Sequence, residues 1–194
     1  PAKSYFSSLI TAVEYSDKTA SGQSIYEKIQ ESDAIVALTP LIEYLEKNLE
    51  TLCSQLPISM AQAVIEKIWI DVLSITVNNL VPPLFGLHSQ KKLSIRQLSM
   101  AKMCLGILRD FMHGDGGEFG LPFETLDTKP YVDLIELFRL YHLEVIKLRR
   151  EYDRYLLVGN DKELLLRLVR LQTTPDTPDA VWLDQQFEKR REKI

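Results

Sequence analysis

Glycine and cysteine are scarce in this sequence: eight glycines and two cysteines, Cys53 and Cys104, in 194 residues. Two cysteines cannot staple a small secreted scaffold, and no Asn-x-Ser/Thr acceptor occurs, so a reducing, intracellular address is the expectation. No uninterrupted apolar stretch approaches the ~20 residues of a membrane span, and no short apolar segment opens the chain in the manner of a leader. The chain opens at Pro1 with no initiator Met, which makes a piece of a longer protein the expectation. Charge of either sign is not in bulk excess. The net value is −4, and residues 91–194 carry 18 Lys/Arg against 17 Asp/Glu, whereas residues 1–90 carry five against ten. Bulk attraction to nucleic acid is excluded by that balance.

Reactive constellations are equally scarce. Asp110 and His113 have the type and spacing of half a helix-borne di-metal site, but no second acid-x-x-His pair exists to complete it. Gly114-Asp115-Gly116-Gly117-Glu118-Phe119-Gly120 lacks the Gly-Lys-Ser/Thr ending of a phosphate loop and the alternating oxygen ligands of a calcium loop. It reads instead as a helix C-cap and chain reversal, in which glycine supplies positive φ. Cys53 and Cys104 lie on apolar stripes rather than in electropositive openings, and there is no serine nucleophile elbow. Asp176-Thr177-Pro178-Asp179 is explained by capping and turn formation. The expectation is a protein that is not an enzyme and needs no cofactor or metal. An all-helical enzyme built around Asp110, His113 and a further acid is the minor rival.

What the chain has in quantity is leucine, 30 residues, arranged with helical periodicity almost throughout. Helical patterns cover 3–15 and 24–37, joined by the small polar linker 16–22. Thr39 and Pro40 then read as N-cap and first residue of a helix whose stripe is Leu41, Ile42, Leu45, Leu49, Leu52 and Cys53. Ser59-Met60-Ala61-Gln62 reads as a capping box for a helix to about Leu80, with Ile65, Ile68, Trp69, Val72 and Leu73 on its buried face. Val81-Pro82-Pro83-Leu84 stops it. Ser94-Ile95-Arg96-Gln97 is a second capping box, for a helix to about Met112.

Beyond Thr128 and Pro130, Leu134, Phe138, Tyr141, Val145, Leu148, Tyr152 and Tyr155 are spaced alternately four and three apart. That seam predicts one long helix to about Val158. Gly159 is its expected C-cap, with Asn160 or Asp161 capping a helix lined by Leu164, Leu165, Leu168 and Leu171. Val181, Trp182 and Phe187 mark a terminal helix. The expected fold class is all-α, an elongated antiparallel helical bundle. Residues 1–37 form an N-terminal helical extension and 38–194 the bundle, with no second domain.

One charged feature exceeds background. From Lys91 to Arg109 there are five basic residues, Lys91, Lys92, Arg96, Lys102 and Arg109, and no acid. The three on the helix proper are expected on one side of it, beside the apolar stripe, as a face for an acidic lipid or an acidic partner helix. The plainer alternative is a solvated face paired with glutamates of neighbouring helices. A second basic cluster, Lys189-Arg190-Arg191 and Lys193, is diluted by Glu188 and Glu192.

Three ordered blocks carry a resemblance. They are residues 38–49 (Leu-Thr-Pro-Leu-Ile-Glu-Tyr-Leu-Glu-Lys-Asn-Leu), then Ile68-Trp69 followed by Val81-Pro82-Pro83-Leu84, and then Leu108-Arg109-Asp110-Phe111-Met112-His113 with its glycines, Leu121 and Leu126. In that order they resemble the second homology region, the C-terminal part of the MUN domain, of the UNC-thirteen vesicle-priming family, nearest its fungal or other non-neuronal members. The resemblance covers roughly residues 38–172. This chain reads His113-Gly114-Asp115-Gly116-Gly117 where the family usually has His-Ala-Gly-Gly.

The resemblance implies the terminal bundle of a helical rod like those of vesicle-tethering subunits. It implies a cytoplasmic place at the plasma membrane or vesicles, and work in SNARE-dependent exocytosis. Its implied partners are syntaxin-like SNARE proteins, other domains of the parent protein and an anionic membrane surface. The family residues credited with opening syntaxin belong to an earlier part of the rod and have no counterpart here. A purely structural end-piece of that rod is the alternative.

Overall fold

In the computed structural model, residues 31–81, 92–158, 163–173 and 177–191 are described. The helical patterns at 3–15 and 24–30, the double proline at 82–83 and the caps at 159–161 lie outside them. Among the described residues the chain is all-helical, with eight α-helices, one 3-10 turn and no strand. It divides into two compact units, Pro1–Thr76 with Leu93–Ile135, and Val77–Lys92 with Glu136–Ile194.

The first unit opens with α1, Glu31–Gln55. Thr39 and Pro40 do not start this helix; Pro40 lies inside it. Thr39 Oγ1 donates to the carbonyl of Ile35 at 2.8 Å, which occupies its hydroxyl within the helix rather than at a cap. Pro40 has no N–H for the carbonyl of Val36, but Val36 is 72% exposed, so water can take that bond. Ala34 and Leu38 are fully buried and hold the turns before the proline in place. The stripe continues through Leu41 and Leu45, and this face packs on α3.

Helix α2, Ile58–Leu80, begins one residue before its expected capping box. The Pro57 carbonyl accepts from the amides of Met60 and Ala61, so Pro57 stands where Ser59 was expected. Gln62 is thereby released from capping, and its Nε2 donates to the carbonyls of Glu118 and Gly120 at 3.4 and 3.3 Å. Ala61, Ile65, Trp69, Val72 and Leu73 are buried, four and three apart, as an amphipathic helix requires.

Helix α3, Ile95–His113, has the expected capping box: Ser94 Oγ accepts from the Gln97 amide, and Gln97 Oε1 accepts from the Ser94 amide at 2.8 Å. It ends at Gly114, whose φ of 57° is left-handed and whose N–H donates to the carbonyls of Asp110 and Phe111. Asp115 follows at φ 50° and Gly116 at φ 74°. The Leu121 amide then donates to the Met112 carbonyl at 2.9 Å and completes the reversal.

At Gly120 the constraint is steric, because a Cβ there would stand 2.0 Å from the His113 carbonyl oxygen. Gly120→Ala is therefore expected to destabilise the first unit by about 1–3 kcal/mol in urea unfolding. Asp115→Gly, which relieves a left-handed aspartate, should stay within about 1 kcal/mol of the parent, on the stabilising side. Two short elements follow: α4, Phe123–Leu126, and the start of α5, Lys129–Leu140.

The single long helix expected beyond Pro130 is two helices, α5 and α6 (Val145–Val158). The seam is nevertheless buried at Leu134, Phe138, Tyr141, Leu148 and Tyr152, and half-buried at Val145. A distant side chain accounts for the break. Gln172 Nε2 donates to the Tyr141 carbonyl at 2.7 Å, while the Glu144 carbonyl starts α6 by accepting from Lys147 and Leu148. No glycine or proline marks the site.

In the second unit α6 packs on α7, Glu163–Gln172, which packs on α8, Pro178–Arg191. Five consecutive residues of α7, Leu165 to Val169, are buried, Arg167 among them. Thr177 Oγ1 accepts from the Ala180 amide and caps α8. Trp182 meets Tyr152 edge-on at 5.3 Å, and Arg149 stacks over Trp182 while bonding Asp179 at 2.9 Å. Val181, one of the residues that mark this helix in the sequence, is 58% exposed, whereas Leu183 is buried. The Phe187 side chain lies outside the described residues.

Candidate interaction surfaces

The five basic residues are placed very differently. Lys91 lies outside the described residues. Lys92 belongs to the second unit, is half-buried, and has its ammonium pKa lowered by burial. Arg96, half-buried, opens α3 and already has interactions. Lys102 is exposed and has no ion pair among the described residues. Lys102 and Arg109 are seven apart, within about 20° of the same helix azimuth, whereas Arg96 lies more than about 120° from both. One continuous face through all three is therefore not formed.

Arg109 is committed inside its own unit. Its Nε and Nη2 each donate at 2.7 Å to the two oxygens of Asp127, a bidentate pair. Its guanidinium also stands 4.3 Å from the Phe123 ring centre and 5.5 Å from that of Tyr131. The Asp127 hydrogen bonds raise the Arg109 pKa, against burial, which lowers it. Burial raises the Tyr131 hydroxyl above its ordinary value, opposed by the charge of Arg109. The ring of Tyr131 lies 5.8 Å from that of Trp69, whose Nε1 donates to the Leu126 carbonyl at 2.9 Å. These contacts tie α2, α3, α4 and α5 together.

Asp110 and His113 have different partners. The Asp110 carboxylate approaches Arg109 at 3.8 Å. His113 stacks on Phe123 at 3.8 Å, and its Nδ1 lies 2.9 Å from the Leu121 carbonyl, an acceptor that requires the proton on Nδ1. Among the described residues no three His, Cys, Asp or Glu side chains gather as a metal site. Burial pushes the Cys104 thiol up to about 11, so it stays neutral through the physiological range.

Comparison with protein-family models, with curated proteins and with solved structures finds no match. The molecule's own geometry is what bears on function. No helix among the described residues is long and apolar enough to cross a membrane.

The first unit also holds an open cleft of about 520 Å³. Leu49 and Cys53 of α1, Ile65 of α2, Phe111 and Met112 of α3 and Phe119 of the glycine-rich reversal line it. Sequence periodicity placed Leu49 and Cys53 on an apolar stripe but gave no sign that the stripe outruns its cover. Asp127, Phe123 and Tyr131 were equally hidden, since Arg109 meets them through the fold and at no helical spacing.

Proposed function

We propose that the chain is a non-catalytic helical interaction module of a vesicle-priming or tethering protein of the UNC-thirteen type, acting at the cytoplasmic side of plasma membrane or vesicle sites. Its place would be the terminal bundle of a helical rod, and its partner an acidic helix of a syntaxin-like SNARE. The observation that carries this reading is Lys102: an exposed ammonium on α3, unpaired among the described residues, within a stretch that holds no acid from Lys91 to Arg109. A capped helix presents such a charge at a fixed place, so an acidic helix meeting it gains orientation as well as attraction. The buried hydrogen bond from Trp69 Nε1 to the Leu126 carbonyl joins two of the three resembling blocks, which supports the reading.

The test is binding of SNARE helices to the purified 194-residue chain, with anionic liposomes as a parallel arm. Lys102→Glu is expected to weaken SNARE binding about three- to tenfold without unfolding the chain. Arg109 is unsuitable for this substitution, since a glutamate there would face Asp127. Absence of SNARE binding by the parent chain would remove the reading. A second reading, a structural end-piece with no partner, is favoured by one observation, the commitment of Arg109 to Asp127 and two rings. It predicts that Lys102→Glu is silent in every binding measurement.

A further inference from the structure

The apolar stripe of α1 changes character along its length. Leu41 and Leu45 are buried at 3% and 8% exposure, where α1 packs on α3. One and two turns further on, Leu49 and Cys53 are only half-buried, although they continue the same spacing. The stripe therefore outlasts the surface that covers it. The facing residues are Ile65, Phe111, Met112 and Phe119, so apolar side chains line the opening on both sides, with Glu50, Ser54 and Glu118 as its polar members.

Its charge is of one sign. Glu50 and Glu118 line the cleft, both are exposed, and neither carboxylate meets a cation among the described residues. Among the described residues no lysine, arginine or histidine lines it. Glu43 and Glu46 precede Glu50 on the same helix, with Lys47 as the one base between Glu43 and Glu50. An occupant must bring apolar side chains for the walls and positive charge for the rim. A helical occupant also satisfies its own backbone hydrogen bonds, which suits walls made of leucine, isoleucine, methionine and phenylalanine.

We infer that this cleft is a docking groove for an amphipathic helix of another protein, its apolar face flanked by Lys or Arg. The groove is separate from the Lys102 side of α3 and has the opposite charge preference, so it does not rest on the vesicle-priming reading. Leucine or similar residues at i, i+3, i+4 and i+7 would enter between α1 and α3, and the flanking cations would meet Glu50 and Glu118.

Cys53 makes the groove readable. It is the half-buried thiol of the wall, while Cys104 is buried and serves as an unreactive internal reference. The probe is a ~18-residue leucine-striped helix flanked by lysines, long enough to hold helical structure, with a twin bearing glutamates instead. At saturation the lysine peptide is expected to slow alkylation of Cys53 in the 194-residue chain by at least about tenfold. The glutamate twin should give no protection.

Glu50→Lys with Glu118→Lys, both exposed positions, is expected to weaken the lysine peptide about tenfold and to admit the glutamate twin. Unchanged alkylation with the lysine peptide bound would overturn the inference, as would equal binding of the two peptides to the parent chain. Protection by a fatty acid or small apolar dye with none by peptide would assign the cleft to a small ligand. Protection that rises with the protein's own concentration would assign it to a second copy. Either result would overturn the helix proposal.

Discussion

Trp69→Ala is expected to lower the stability of the first unit by about 3–5 kcal/mol, the range for emptying a large buried aromatic site. The side chain is fully buried, and its Nε1 supplies the Leu126 carbonyl with its hydrogen bond. Trp69→Phe separates the two contributions. It keeps much of the ring contact with Tyr131 but leaves the Leu126 carbonyl unpaired, so a loss of about 1–3 kcal/mol is expected. Urea unfolding followed by far-UV circular dichroism measures both. A phenylalanine variant as stable as the parent would show that the hydrogen bond contributes nothing, whatever the alanine variant does. Typical domains are stable by only about 5–15 kcal/mol, so the alanine change removes a large fraction of what holds the unit together.

The second large effect belongs to the other unit. Arg167 is 7% exposed, and its guanidinium donates to Asn78 Oδ1 at 2.8 Å and to the Val81 carbonyl. Glu163 lies 4.0 Å away and is half exposed, so it compensates the buried charge only in part. Burial accordingly lowers the Arg167 pKa, with Glu163 acting in the opposite direction. The same helix end is held by the Tyr141 hydroxyl, which donates to the Leu80 carbonyl at 3.2 Å.

Arg167→Ala is expected to cost about 3 kcal/mol, since it strands the Val81 carbonyl and empties the space of a buried stem. Arg167→Met fills the space without restoring the donor, and a loss of about 1–3 kcal/mol should remain. Arg167→Lys should recover only part, because both bonds come from Nη2, and the shorter lysine side chain does not carry its ammonium to that nitrogen's position. Amide exchange at residues 78–81 should quicken in all three. A methionine variant with parental exchange rates would show that the arginine fills space and does not clamp the helix end.

Local signals and distant partners were not equally legible. The capping box at Ser94 and the left-handed glycine at Gly114 depend on residues three or four apart, and both stand where local pattern placed them. The buried seam of α5 and α6 was readable for the same reason. Its interruption after Leu140 was not, because the Tyr141 carbonyl is taken by Gln172, 31 positions later. Arg167 falls within a leucine-rich run that local pattern reads only for its leucines, and its acceptors lie 86 and 89 positions earlier. Among the basic residues, only the fold distinguishes Lys102, which is exposed, from Arg109, which is bound to an aspartate 18 positions on. The cleft depends on where three helices and a reversal stop covering one another, which no single stretch of sequence records.

Pro40 has a consequence beyond the geometry of α1. The segment from Glu31 to Thr39 is joined to the rest of that rod without the bond that a residue bearing an N–H would supply at position 40. If those leading turns unwind, Thr39 and Pro40 already have the chemistry of a new beginning, a hydroxyl that can turn to free amides and a pre-set φ. Fraying therefore has a built-in terminus: it can consume the lead-in and then meets a ready-made end before reaching Leu41, leaving the rest of the rod intact.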